Sequence, residues 1–577
     1  RIDQGPVAGS LPLLAIQRWF FAQGIADAHH WNQSVLLAPT QALQPRVLEA
    51  ALQALVLHHD ALRLRFDAQA GLAWHRAAAQ QQGAEEQAPL LWHATVVRGQ
   101  ALTALCEQAQ RSLDLHQGPL LRAVLAELDD GSQRLLLVVH HLVVDGVSWR
   151  ILFDDLQQAY SQCLAGQALS LPAKTTAYKH WAERLQALAQ TPALAEQLPY
   201  WQAQVEGAVD DLPGARPHAS LEKRHACTVH TRLDDTLTRQ LLQQAPAAYR
   251  TQVNDLLLTA LTRVICRWTG QASALIQLEG HGREDLFDDV DLTRTVGWFT
   301  SAFPVRLDSA GDVTDAIKTV KQQLRAIPDK GIGYGALRYM GSAQSQAALN
   351  GLAEPRITFN YLGQFDGSFA SDQGALFVPA SEDAGAEQGA EAPLGNWLSI
   401  NGQVYAGQLR LGWTFSEAMF ERTDIERLAQ DYARELNQLV AHCLLPDSAG
   451  VTPSDFPLAM LDPSQLDALG LPWADVQDLY PLSPMQQGML FHSLLEQQGG
   501  DYINQLSVSV QGLAPERFRE AWQAVVQRHD ILRSGFLWQG GLAQPLQWVR
   551  KQVQLPCREI DLRGHEDLDA ALTRLAD

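Results

Sequence analysis

Leu135-Leu136-Leu137-Val138-Val139-His140-His141-Leu142-Val143-Val144-Asp145-Gly146-Val147-Ser148-Trp149-Arg150 contains three structural statements in sixteen residues. The apolar run over residues 134–139 suits a strand in the middle of a sheet, buried on both faces. From Val147 the spacing changes. Val147, Ile151, Leu152, Leu156 and Tyr160 fall on one side of a helix spanning residues 147–163. Between strand and helix lies a short turn, in which Gly146 lets a histidine face a cleft while Asp145 anchors the loop through a buried pair with an arginine. A histidine near its reference pKa of about 6.5 moves a proton in either direction at neutral pH. Read alone, two adjacent histidines also suit a strand cap. The His-His-x-x-x-Asp spacing suits a metal site too, although no third ligand cluster stands nearby.

Outward from this turn the chain alternates helices and strands. Residues 13–22 and 46–58 read as helices, and residues 33–37 and 120–128 as strands. A second run follows, with helices at 237–242, 253–269 and 423–443. Its strands fall at 275–279, 303–307, 356–361 and 408–413. Two such halves predict a two-lobed α/β domain reaching about residue 445. Pro446, Pro453, Pro457, Pro463 and Pro472 then break any long helix, so residues 446–477 read as an inter-domain linker. The Ala-, Gly- and Glu-rich stretch at 381–393 reads as a solvent loop.

The length of 577 residues calls for two or more cores. With 46% hydrophobic and 19% charged residues the composition is globular. A net charge of −20 argues against nucleic acid as a partner. The six cysteines form no CxxC pair, which fits a reducing cytoplasm better than a zinc site or a disulfide framework. The longest apolar stretch is too short to cross a bilayer. The first residue, Arg1, and an ending inside a helical pattern read as a piece of something longer.

Three landmarks recur in order. Leu11-Pro12-Leu13-Leu14-Ala15-Ile16-Gln17, Trp31-Asn32-Gln33 and His58-His59-Asp60-Ala61-Leu62-Arg63 are matched by three later segments. These are Tyr480-Pro481-Leu482-Ser483-Pro484-Met485-Gln486, Ile503-Asn504-Gln505 and Arg528-His529-Asp530-Ile531-Leu532-Arg533. The second copy ends before any counterpart of His140-His141. A further constellation, Glu279-Gly280-His281-Gly282-Arg283-Glu284, places a carboxylate at a strand end, and the two glycines after it let the chain turn sharply. That arrangement suits a general acid or base, and equally a charged surface turn.

Taken together these motifs resemble the condensation-domain superfamily of nonribosomal peptide synthetases, and its epimerization branch in particular. His140-His141-x-x-x-Asp145-Gly146 resembles the superfamily signature, and the continuation Val147-Ser148-Trp149 is similar to the epimerization form. The Glu279–Glu284 run resembles the epimerization motif, as does Asp291-Leu292-Thr293-Arg294-Thr295-Val296-Gly297-Trp298-Phe299-Thr300. Gly331-Ile332-Gly333-Tyr334-Gly335 and Asn360-Tyr361-Leu362-Gly363-Gln364 resemble two further family segments. Leu13-Leu14-Ala15 departs from the usual Leu-Thr-Pro opening.

The resemblance implies two chloramphenicol-acetyltransferase-like lobes facing each other across a tunnel, at residues 1–178 and 179–445. It also implies a truncated condensation domain at 478–577 that accepts a D-configured donor. The implied reaction is cofactor-independent L-to-D inversion of an aminoacyl or peptidyl thioester. The substrate arrives on the 4′-phosphopantetheine arm of an upstream peptidyl carrier domain. His141 and Glu279 are the expected acid/base pair; the sequence does not say which is the base, and the working assignment has Glu279 take the α-proton and His141, or a water it holds, return one. His140, Asp145, Gly146, Ser148, Trp149, His281, Arg283, Asn360 and Tyr361 support the site. The other expected partner is the remainder of the condensation domain; no membrane is expected, and the chain is expected to be a monomer. Rival readings are a peptide-bond-forming condensation domain, an inactive carrier-docking platform, and a metal hydrolase built on His140, His141 and Asp145.

Overall fold

The apolar run before His140 forms the strand Gln133–His140, with Leu135, Leu136, Val138 and Val139 at most 1% exposed. In the computed structural model, which describes residues 1–76, 89–208, 210–309, 311–364, 375–496 and 502–577, this strand is the centre of a five-stranded sheet. The sheet order is Phe377–Pro379, Asn32–Pro39, Gln133–His140, Leu121–Leu128, Leu91–Val96. The Gln100–Gln110 helix packs Leu102, Cys106 and Ala109 against Leu36, Val124, Leu136 and Val138. Helices Pro45–His58 and Gly146–Leu164 pack on each other. The Asp145 carboxylate caps the second of these by accepting the Ser148 N–H.

The second lobe is a six-stranded sheet in the order Ser301–Asp308, Ser273–Gly280, Ile357–Gln364, Leu398–Tyr405, Gln408–Ser416, Ala226–Arg232. Beside it runs the Val253–Thr269 helix, buried almost all round from Asp255 to Cys266. A Gln252–Asp255 capping box begins this helix and left-handed Gly270, at φ 71°, ends it. Mixed α/β architecture in two lobes is thus what the chain adopts.

Two expectations are corrected. The stretch 381–393 is not a solvent loop. Just ahead of it, Phe377–Pro379 pairs antiparallel with Asn32–Pro39 and completes the first-lobe sheet. Beyond that strand, the Asn32 N–H donates to the Glu387 carbonyl at 2.9 Å and the Ser34 N–H to the Glu387 carboxylate at 2.8 Å. An open sheet edge carries backbone groups that need partners, and this segment supplies them. Its small residues permit the approach. A Cβ at Gly385, whose φ is +80°, would stand 3.0 Å from the Glu107 nitrogen. A strand from the 179–445 stretch therefore belongs to the first lobe's sheet.

Nor is 446–477 an extended linker. It folds into the turns Pro453–Asp455 and Pro457–Ala459 and the helix Pro463–Ala468, each opened by its proline. Proline lacks the N–H that a first helical turn leaves unpaired anyway, so here it starts helical turns instead of preventing them. Val451, Phe456, Ala459 and Leu466 form one core with Val476, Leu479 and Leu546.

That core belongs to a second compact unit, Pro246–Thr251 with Cys443–Asp577; the first unit is Arg1–Ala245 with Gln252–His442. The second unit holds a three-stranded sheet in the order Val476–Pro481, Leu546–Arg550, Ser534–Leu537. The internal repeat is built alike in both copies. Arg63 pairs with Asp60 and donates to the Val56 carbonyl, just as Arg533 pairs with Asp530 and donates to the Val526 carbonyl. The copies differ in cover. Leu48, Leu52 and Leu55 of helix Pro45–His58 are buried, whereas Phe518, Trp522 and Val525 of helix Pro515–Arg528 are exposed. Among the described residues no helix is long and apolar enough to cross a membrane.

Candidate active site

His140 and His141 end the central strand on opposite terms. His140 is fully buried, and its Nε2 donates to the Ala28 carbonyl at 2.8 Å while Nδ1 accepts the Leu142 N–H at 3.1 Å. Both ring nitrogens are spent, and burial lowers its pKa to about 3, so this ring is a neutral brace. His141 is half-buried. Its Nδ1 lies 3.0 Å from the Val144 carbonyl, which only a proton on Nδ1 satisfies. Nε2 then carries a lone pair, which accepts a Gln33 amide N–H at 3.4 Å. The Trp149 indole fixes that amide by donating to Gln33 Oε1 at 2.9 Å. Trp298 covers the imidazole face, ring centres 4.1 Å apart. Burial lowers the His141 pKa, against partial opposition from its backbone partners and Asp145.

Asp145 is the knot beneath this loop. Its Oδ1 accepts the Ser148 N–H at 2.9 Å, the Ser148 hydroxyl at 2.8 Å and an Arg283 N–H at 2.9 Å. Oδ2 accepts the Phe299 N–H at 3.2 Å. Ser148 Oγ also accepts the Gly297 N–H at 3.0 Å, and Arg283 donates to the Leu292 and Thr295 carbonyls. Its guanidinium lies 4.1 Å over the Phe299 ring. Arg283 is therefore the arginine that meets Asp145, and it comes from the opposite lobe. Gly146, however, is not conformationally required. It begins the helix without a left-handed φ, and a Cβ there would meet nothing within 4 Å.

Glu279 stands at the end of strand Ser273–Gly280. Ala274, Ile276 and Leu278 face the core, so alternation puts Gln277 and Glu279 on the other face. The Glu279 carboxylate accepts an Asn360 side-chain N–H at 3.2 Å. It is open to solvent, yet surrounding protein strips enough water to raise its pKa above the usual carboxylate value. Glu279 pairs across the sheet with Ala302. The segment leading into that partner strand carries Trp298 and Phe299, which meet His141 and Asp145. One strand–loop–strand unit thus presents Glu279 and clamps the His141 loop. His281 is 58% exposed and accepts the Arg283 N–H at 3.0 Å, bracing the turn from outside. Tyr361 alternates away from Asn360 and lies against Gly402, 3.7 Å from the Cβ position there.

Gly282 holds the turn together. At its φ of +75°, a Cβ would fall 1.6 Å from the Phe299 carbonyl oxygen. Gly282→Ala is expected to lower the thermal unfolding temperature, since the backbone strain alone costs about 1–3 kcal/mol before the clash is relieved. An unchanged melting curve would remove this turn from the structural account.

Trp298 and Gln33 are the contacts the motifs did not mark. Both lie within motif segments, but their meeting with His141 crosses the fold and leaves no local signal. The metal reading of His140, His141 and Asp145 loses its ligands, because His140 is spent on backbone groups and Asp145 on Ser148, Arg283 and Phe299. Among the described residues, the grouping with ligand-like spacing is His58, His59 and Asp155, where Arg294 already holds Asp155.

The condensation-domain family model matches residues 7–461 and again 476–576. One of the subunits of linear gramicidin synthase from Brevibacillus parabrevis is 44% identical over 573 residues, covering 97% of this chain and 7% of its own length. Tyrocidine synthase 1 of the same organism is 36% identical over 477 residues, covering 81% of this chain and 43% of its own. The chain thus spans less than half the length of these relatives. Among solved structures, the epimerization domain from the third module of tyrocidine synthetase B aligns at a TM-score of 0.69 with 36% identity, covering 77% of this chain and 99% of that one. The condensation domain of the monacolin K polyketide synthase aligns at 0.58 with 16% identity, covering 77% of this chain and 99% of that one, a likeness of fold alone.

Proposed function

The chain belongs to the condensation-domain family of nonribosomal peptide synthetases, and from that membership we propose that its first unit inverts the α-carbon of a carrier-bound aminoacyl or peptidyl thioester. The observation that carries this reading is Glu279, a carboxylate of raised pKa on the same strand–loop–strand unit that covers His141. Peptide-bond formation has no evident use for a second acid/base group in that position, whereas inversion needs one on each face of the carbon.

The α-proton of a thioester is more acidic than that of an amide, and its loss leaves an enolate. Glu279 takes the proton of the L-substrate, and the His141 imidazolium, or a water it holds, returns one to the other face. Carbon and charge balance, and the pair ends with Glu279 protonated and His141 neutral. Burial pushes the two pKa values towards each other, Glu279 up and His141 down. The two states of the pair therefore lie closer in energy than for free side chains; ionised Glu279 with protonated His141 starts from the L-substrate, and the other state starts from the D-substrate. The balance calls for no cofactor beyond the carrier's 4′-phosphopantetheine. An upstream peptidyl carrier domain presents the substrate, and residues 476–576, which match the condensation-domain family a second time, belong to the condensation domain that takes the D-configured product.

The reaction of the L-substrate requires ionised Glu279. Its raised pKa places the acid limb of kcat/KM above the ordinary carboxylate range, with activity falling as pH drops through it. A pH–rate profile on a loaded carrier checks this; an acid limb at or below the ordinary value would remove Glu279 as the base. The test of the reading itself is solvent deuterium. A carrier loaded with L-substrate and incubated with this protein in deuterated water is expected to yield α-deuterated D-product, and His141→Ala is expected to abolish it. Retention of undeuterated L-substrate, with amide formed when an acceptor amine is added, would favour condensation instead.

A further inference from the structure

A cavity of about 380 Å³ opens beside the Glu279 face of the second-lobe sheet, within the ~300–1,000 Å³ range of small-molecule sites. Gln277, on the same face as Glu279 and two residues before it, lines the cavity, as does Ala302, the cross-strand neighbour of Glu279. Beyond Gln277 the polar row continues. Thr358 is Gln277's partner in the parallel register, and the Asn396 amide donates to Thr358 Oγ1 at 3.0 Å. Ile16, Trp19 and Met340 add apolar lining to the same cavity.

The charges on this cavity are already matched within the protein. Arg338 pairs with Glu354 at 2.5 Å and Arg356 with Asp210 at 2.8 Å. Among the described residues that line the cavity, a free α-ammonium group would find no carboxylate without its own cationic partner. An amide would find neutral donors and acceptors in Gln277 and Asn396, with apolar lining for a side chain. A substrate consisting of a single amino acid leaves this space unused. Resting on the epimerization reading, we infer that the thioester is peptidyl and that the cavity holds the uncharged, amide-linked portion preceding the reacting residue.

Gly395 provides the test. It lines the cavity, carries no left-handed φ, and has nothing within 4 Å of a Cβ position, so a bulky side chain there fills space without backbone strain. Pantetheine thioesters of L-alanine, L-leucine, L-valine and L-phenylalanine are prepared in three forms: free amine, N-acetyl and N-acetylglycyl. Enzyme-dependent α-deuterium exchange is then measured with the full chain. N-acylated forms are expected to exceed the free amine in kcat/KM by roughly tenfold or more, the lower end of what one filled subsite contributes. Gly395→Phe and Gln277→Ala are expected to bring that ratio down towards one.

Equal rates for the three forms, or a preference that survives both substitutions, would overturn the inference. Exchange with none of the thioesters would remove the epimerization reading on which it rests. Calorimetric binding of the non-reacting N-acetylglycyl-leucyl pantetheine amide then decides the cavity separately. Binding weakened by Gly395→Phe supports a peptide site, and binding unaffected by it refutes one.

Discussion

Glu279→Gln is expected to slow α-deuterium exchange by roughly 10²–10⁴-fold, the contribution of one positioned acid/base group. The side chain keeps its length, and its amide oxygen can still accept the Asn360 N–H that the carboxylate accepts at 3.2 Å. Geometry is therefore retained while proton transfer is removed. Because Glu279 is open to solvent and its charge is disfavoured by the surrounding protein, the substitution leaves the melting temperature unchanged or slightly raised. KM is expected to hold, with the loss in kcat, as for an interaction made in the transition state alone. Full activity in this variant would transfer both proton steps to His141 and water. Loss of activity together with a lowered melting temperature would instead mark Glu279 as structural.

Asp145→Ala is expected to cost about 3–5 kcal/mol of stability, because it strands a charge that the fold has buried. The Arg283 and Asp145 side chains are 7% and 8% exposed and meet at 2.9 Å. Removing the carboxylate also leaves Ser148 and the Phe299 N–H without their acceptor. The measurement is chemical denaturation of Asp145→Ala, Arg283→Met and the double variant. The double variant is expected to be less destabilised than the sum of the two, by about 0.5–3 kcal/mol for directly coupled residues. Additive losses would mean that the pair acts as two independent anchors. Activity should fall further than stability in Asp145→Ala, since the same carboxylate holds the loop that aims His141.

The parts of this architecture written in local pattern are legible in the sequence. The strand before His140, the helix after Asp145 and the helix Val253–Thr269 each carry their signal, an apolar run or an apolar stripe, within one window. Strand Leu398–Tyr405, absent from the expected strands, carries a signal too, with Leu398, Ile400, Gly402 and Val404 alternating inward. Phe377–Pro379 is three residues long and has no period to read; its place is set by the edge it covers. The proline-rich 446–477 stretch misleads because proline breaks a helix interior but opens a helical turn, and only the surrounding core distinguishes the two. At the site, the residue types of His141, Glu279 and Arg283 are readable. That Arg283 would meet Asp145 across the lobes, or that Trp149 would set the Gln33 amide, lies in contacts 138 and 116 residues apart.

The strand supplied by Phe377–Pro379 also has a timetable. Thr40 at the end of the first-lobe edge donates to Leu376, 336 residues later in the chain. At a synthesis rate of ~5–20 residues per second, that edge waits roughly 20–70 s on the ribosome for its covering strand. Throughout that interval strand Asn32–Pro39 offers an unpaired ladder to any neighbouring nascent chain. Messages that slow translation between the two lobes should therefore raise the aggregated fraction of this protein, and a synonymous recoding that speeds that stretch should lower it.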